Sequence, residues 1–143
     1  MTRVEQPPTS AKREPPAYSE LAAPYWEAAA QGRMVIQECV DCAAAIFPPR
    51  PLCPRCWSSS VVWREASGRA RIESFSVVHR APNETFAAEV PYVVALVLLD
   101  EGPRMMTNVV GCAPDDVEID MPVRAVYTEY DGFVLPQFEP EAT

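Results

Sequence analysis

The chain of 143 residues has a single histidine, His79, and lacks the short motifs around which self-sufficient enzymes are commonly built. No G-x-G-x-x-G or G-x-x-x-x-G-K-[ST] loop is present to cradle phosphates, no G-x-S-x-G to raise a nucleophile, and no H-E-x-x-H to hold a catalytic zinc. His79 sits at the end of a strand pattern, where a hydrogen-bonded structural role is the expectation. The acidic pairs Asp100-Glu101 and Asp115-Asp116 fall in turn-forming stretches, where carboxylates are solvated. Self-contained catalysis is therefore not expected.

Lysine is missing from the second half. Residues 68–143 carry five Arg against thirteen Asp/Glu, whereas residues 1–67 carry seven Lys/Arg and seven Asp/Glu, so the net charge of -8 belongs to the C-terminal half. Binding to nucleic acid rests on neutralising phosphates, and single strands need a basic groove with stacking aromatics. This balance argues against a nucleic-acid partner. Long apolar runs are lacking too: the longest, Tyr92–Leu99, is far too short to cross a bilayer, so no membrane partner is expected. No charged n-region followed by an apolar h-region opens the chain, which points to a cytoplasmic location, where thiols stay reduced.

Proline is abundant, with 16 residues, about twice the usual share of ~5%. Residues 1–17, MTRVEQPPTSAKREPPA, are polar, Pro-rich and without apolar periodicity, and are expected to form a disordered tail. An N-terminal helical segment is expected over 18–33. Ser19 can cap a turn, Pro24 can open a helix, Gly32 can close one, and Trp26 and Ala30 are expected on the buried face of a helix near Pro24–Gln31. Beyond it, MVIQE, AIF and SVVW read as strands of a small module over 34–66.

From 67 to 143 five strand patterns recur between turn markers: Arg69–Arg80, Pro91–Leu99, Arg104–Val110, Pro122–Tyr130 and Phe133–Phe138, with one helical turn near Pro114–Val117. Five strands in so short a span suit a closed OB-fold barrel, and the fold class is mainly β. The run YVVALVLL shows no in/out alternation, so both faces of that strand are expected to leave water, one into the barrel and the other against the N-terminal module or a partner.

Four of the five cysteines, Cys39, Cys42, Cys53 and Cys56, form C-x2-C-x10-C-x2-C. Two thiolates three residues apart on a tight turn can take adjacent corners of a tetrahedron, and two such pairs complete it. Zn2+ is the expected occupant, structural because four sulfurs close its shell. Iron in the same site, two disulfides or a redox C-x-x-C are the other readings of this spacing. The interval IFPPRPL is stiff and offers Phe47 and Arg50, either to a partner or as braces of the ribbon. Cys112, with no basic neighbour in sequence, is expected to be an inert, partly buried thiol.

The ordered set W-x-x-A-x-x-G-R, CxxC, PPRPLCPRC, SFSVVHRAP, PYVVALVLLDEGPRMMTNVVG, MPVRAVY and DGFVLPQF resembles the DUF35 family, acyl-CoA-associated zinc-ribbon/OB-fold proteins, over roughly Pro24–Pro140. The resemblance implies a helical segment, a rubredoxin-like zinc ribbon and an OB barrel. It further implies an accessory subunit of a thiolase-like acyl-CoA enzyme, or of a hydratase or aldolase of steroid side-chain or aromatic degradation, with the catalytic residues on the partner. A free-standing acyl-CoA-binding protein is the alternative. Ala43 and Asp120 stand where the family commonly has glycine, which puts the geometry of both turns in question. The loop between the first two barrel strands, with His79, Arg80, Pro82, Phe86, Pro91 and Tyr92, is apolar and rigid and is the expected partner or acyl-CoA entrance.

Overall fold

The computed structural model describes Val4–Glu5, residues 13–17 and residues 19–141. Of the segment expected as a tail, residues 1–3 and 6–12 lie outside the described residues, as does Tyr18. Where the segment is described it meets the barrel: Val4–Glu5 (β1) pairs in parallel with Tyr127 and Thr128, and Arg13 forms an ion pair with Glu89.

Helix α1 spans Ala23–Ala30, with Pro24 in its first turn. The hydroxyl of Ser19 accepts from the backbone N–H of Ala22 at 3.2 Å, capping the turn that precedes the helix. Gly32, at φ 72°, ends it: its N–H donates to Ala29 O and that of Arg33 to Ala28 O, satisfying carbonyls the last turn would leave open. The buried side chains are Tyr25, Ala28 and Ala29, not the expected Trp26 and Ala30; Ala30 is exposed and Trp26 only half-buried. Tyr25 sets this rotation, since its ring packs edge-on against Trp26 at 4.9 Å and against Phe47 at 5.4 Å.

The ribbon is a three-stranded antiparallel sheet in the order β3-β2-β4, built from Val35–Cys39 (β2), Ala45–Ile46 (β3) and Val61–Glu65 (β4). Gln37 is buried on β2, where its side-chain oxygen accepts from the backbone N–H of Arg50 at 2.7 Å and pins the Pro-rich interval to the sheet. Phe47 packs inward against the main core while Arg50 is exposed, so of the two only Phe47 braces the ribbon.

Five strands follow: Arg69–Val78 (β5), Tyr92–Leu99 (β6), Arg104–Val109 (β7), Pro122–Tyr130 (β8) and Phe133–Pro140 (β9). Strand β5 pairs antiparallel with β6 and β8, β6 with β7, and β8 with β9. A parallel contact between β7 and β9, at Val109 and Phe138, closes the circuit into a five-stranded OB barrel. A register shift between Ile72 and Ser74 lets β5 bend from one neighbour to the other. A single turn of 3-10 helix at Pro114–Asp116 lies between β7 and β8, as the sequence predicts.

One core joins helix, ribbon and barrel. Tyr25, Ala29, Met34 and Ile36 from the N-terminal part pack with Ile72, Val97, Leu99, Val123, Tyr127 and Phe138 from the barrel. Gly68 marks the joint. At φ 78° it takes a conformation side chains disfavour, and its carbonyl accepts from Ala125 N–H at 2.7 Å.

In YVVALVLL the burial does alternate. Val93, Ala95, Val97 and Leu99 fill the barrel, whereas Val94 and Leu96 are half-buried and Leu98 is exposed. The expectation that both faces leave water holds for the inner face only. On the outer face Leu96 pairs with Met106, which is 74% exposed. No helix among the described residues is long and apolar enough to cross a membrane.

Candidate metal centre and barrel-end cleft

The two cysteine pairs occupy matching turns. After Cys39 the chain reverses, with Ala43 N–H donating to Cys39 O and Cys39 N–H to Ala44 O, both at 2.9 Å. After Cys53 the same pattern recurs: Trp57 N–H donates to Cys53 O at 2.8 Å and Cys53 N–H to Ser58 O at 2.9 Å. Each turn requires a left-handed residue just past its second cysteine, and Ala43 (φ 62°) and Trp57 (φ 66°) fill those places. Asp120 likewise has φ 66°, so the turn before the fourth barrel strand is left-handed. The Ser58 hydroxyl donates to the Asp41 carboxylate, tying one turn to the other.

This arrangement gathers the four sulfurs within 4.8 Å of one another. Cys39 Sγ lies 3.6 Å from Cys56 Sγ, and Cys42 Sγ 3.6 Å from Cys53 Sγ. A tetrahedral ion with Zn–S bonds of about 2.3 Å requires sulfurs about 3.8 Å apart, so the geometry fits one tetrahedral ion. All five cysteines are free thiols, which sets the two-disulfide reading aside.

The electrostatics of the turns prepare the sulfurs for a cation. The Cys39 thiol is held below its ordinary value, chiefly by the backbone N–H of Cys42. At Cys53 burial pushes upward, but the N–H groups of Cys56 and Arg55 prevail and bring the thiol to about 7. At Cys42 and Cys56 a backbone N–H, from Ala44 and Ser58 respectively, acts downward but is overcome by burial and by the neighbouring sulfurs; Cys42 is raised and Cys56 is pushed up to about 12. Four sulfurs this close cannot all carry charge without a counter-ion, and a divalent metal supplies it. Buried Cys39, Cys53 and Ile46, with half-buried Cys42, Ala44 and Val61, form a separate small core.

A cleft of about 460 Å³ opens at one end of the barrel. Its walls include Pro91 and Tyr92 from the predicted entrance loop, and Asn108, Cys112, Thr128, Tyr130 and Gln137 from the strands. Phe86 lies at its edge, 5.9 Å from the Tyr92 ring. His79, Arg80 and Pro82 are exposed and do not line it, so the structure gathers half of the predicted entrance residues and leaves the other half on the open surface. Cys112 is half-buried in the cleft wall, its thiol raised by burial and by Asp116.

Sequence reasoning missed Arg13, Glu89, Tyr130 and Gln137. Gln137 was visible in principle as a polar residue within FVLPQF. It is buried, with its oxygen accepting from Thr128 Oγ1 at 2.8 Å and its Nε2 donating to Tyr130 Oη at 3.1 Å.

Fold and site together define a two-part protein, a four-cysteine ribbon followed by an OB barrel. Family models agree on this division: residues 26–62 match the ChsH2 rubredoxin-like zinc ribbon domain and residues 63–128 the ChsH2 C-terminal OB-fold domain. The chain is 38% identical over 91 residues to a DUF35 domain-containing scaffold protein of Methanothermobacter thermautotrophicus, covering 63% of this chain and 68% of that one. It belongs to the DUF35 family. A probable enoyl-CoA hydratase alpha subunit of Thermomonospora curvata is 45% identical over 139 residues, 96% of this chain; the chain spans only 43% of that relative's length. Among solved structures, a chain of an Ltp2-ChsH2(DUF35) aldolase superposes with a TM-score of 0.79 at 46% identity, over 88% of this chain and 98% of that one.

Proposed function

We propose that this chain is a non-catalytic, zinc-binding subunit that docks on an acyl-CoA enzyme, of thiolase type, and helps to form or stabilise its acyl-CoA site. The observation that carries the reading is the coverage of the DUF35 chain of the aldolase: 98% of its length is matched at 46% identity, so this chain has the parts with which such a chain enters a complex. Zinc is the occupant proposed for Cys39, Cys42, Cys53 and Cys56. With four sulfur ligands it has no position for water or substrate, and it acts as scaffold. The reducing cytoplasm is the compartment that suits four such thiols.

Two exposed apolar areas support docking. Val40, Leu52 and Trp57 stand out from the ribbon beside the metal centre, Trp57 being 76% exposed. Leu98 and Met106 lie on the outer face of β6 and β7. The loop from His79 to Tyr92, with Arg80, Pro82, Phe86 and Pro91, is proposed to face the partner or the pantetheine arm at the mouth of the cleft. A hydratase partner is the second reading, favoured by the name of the Thermomonospora curvata relative.

Affinity purification of the tagged chain from its native source, followed by identification of co-purifying proteins, tests the reading. A thiolase-superfamily enzyme supports it, and a hydratase supports the second. Tight binding of acyl-CoA by the chain alone, with no enzyme captured, would replace both with a free-standing acyl-CoA-binding protein.

A further inference from the structure

Residues 14–17 are exposed, yet the side chain of Arg13 beside them turns inward and is only 12% exposed. Its guanidinium carbon lies 4.8 Å from the centre of the Phe86 ring and 4.6 Å from that of Tyr130, and Nη2 donates to Glu89 Oε1 at 2.6 Å. Two aromatic faces and one carboxylate thus enclose a single cation.

The enclosure is built independently of its occupant. Phe86 and Glu89 share one turn, closed by Glu89 N–H donating to Phe86 O at 3.0 Å, and the Phe86 ring is backed by Tyr92. Tyr130 is backed by the stacked ring of Phe133 at 5.6 Å, and its hydroxyl is held by Gln137, itself held by Thr128.

Arg13 uses this enclosure incompletely. Only one of its nitrogens reaches Glu89; Arg13 Nε and Glu89 Oε2 are both buried with no hydrogen-bond partner among the described residues. A guanidinium matches a carboxylate best as a fork, with two parallel N–H···O bonds. An arginine entering from another direction could make both bonds between the same two rings.

We propose that Phe86, Glu89 and Tyr130 form an arginine-receiving cage, filled in cis by Arg13, in which an arginine side chain of a partner polypeptide takes Arg13's place. The cage stands on the geometry alone, whereas the trans occupant rests on the proposal that this loop faces a partner. A lysine is a poorer occupant, because an ammonium cannot fork and stacks less well.

The test titrates N-acetyl-arginine methylamide into the full chain, following the NMR signals of Phe86, Glu89 and Tyr130. Arg13→Ala should half-saturate at a probe concentration at least about tenfold lower than wild type, since Arg13 competes at millimolar effective concentration. Adding Glu89→Gln to Arg13→Ala should weaken binding about tenfold or more, and the lysine analogue should bind less well than the arginine probe. Equal behaviour of wild type and Arg13→Ala, or indifference to Glu89→Gln, overturns the cage. If the probe binds as expected but capture of the partner enzyme is unchanged by Glu89→Gln, the trans occupant is overturned while the docking reading stands. If no enzyme is captured by wild type either, it is the docking reading that has failed.

Discussion

Ala43 and Trp57 hold the same left-handed place in the two cysteine turns, at φ 62° and φ 66°. A non-glycine residue there costs about 1–2 kcal/mol relative to a right-handed conformation, and glycine pays little of it. Ala43→Gly is therefore expected to stabilise the metal-loaded protein by about 0.5–1 kcal/mol, the unfolded chain's extra freedom offsetting part of the relief. Chemical denaturation at fixed metal concentration checks this. A loss of stability would mean that the Ala43 methyl group contributes more than the backbone strain costs.

The ribbon's own core is two buried cysteines and Ile46, too small to hold three short strands without the metal. Cys53→Ser, or exhaustive chelation, should release the metal and expose Trp57 and Trp63 signals of an unfolded ribbon, while the barrel keeps its β-sheet circular dichroism. Full retention of ribbon structure after metal removal would show that the metal is not its organiser.

Burial holds the Tyr127 hydroxyl neutral, its ionisation pushed up to about 12 from an ordinary 10.0, with Glu65 adding to the shift and Arg33 opposing it. The folded state resists deprotonation more than the unfolded state does. Stability from this group is thus complete below pH 10 and is lost as pH rises through 12, by roughly 3 kcal/mol at most. Tyr25 is raised for the same leading reason and adds to the effect. Tyr127→Phe should flatten the fall between these pH values in denaturation midpoints; an unchanged slope would assign the alkaline loss to other groups.

On the outer face, Met106 is 74% exposed and contributes little to the barrel. Met106→Asp should change stability by less than about 0.5 kcal/mol. In the proposed complex it should lower capture of the partner by about tenfold or more, as charge insertion at an apolar contact does. Unchanged capture would move the contact off this face.

How much of this was legible beforehand depended on the range of the interaction. The metal ligands follow from local spacing, and the closed barrel from five strand patterns with turn markers between them. Ala43 and Asp120 could be flagged as unusual turn residues because their strain is local; Trp57, in the equivalent place, carried no such flag. The face of α1 was misjudged because Tyr25, packed on Phe47 from the ribbon, decides the rotation, and that contact is tertiary. For YVVALVLL an unbroken apolar run could not distinguish a second buried face from an exposed apolar one. The pair Arg13 and Glu89, separated by 76 residues, left no local signal at all.

The most direct test of the account is turnover of acyl-CoA thioesters by the homogeneous, metal-loaded chain, measured with and without the enzyme that co-purifies with it. The account predicts no turnover by the chain alone and full activity only when both are present. Sustained turnover by the chain alone would contradict it.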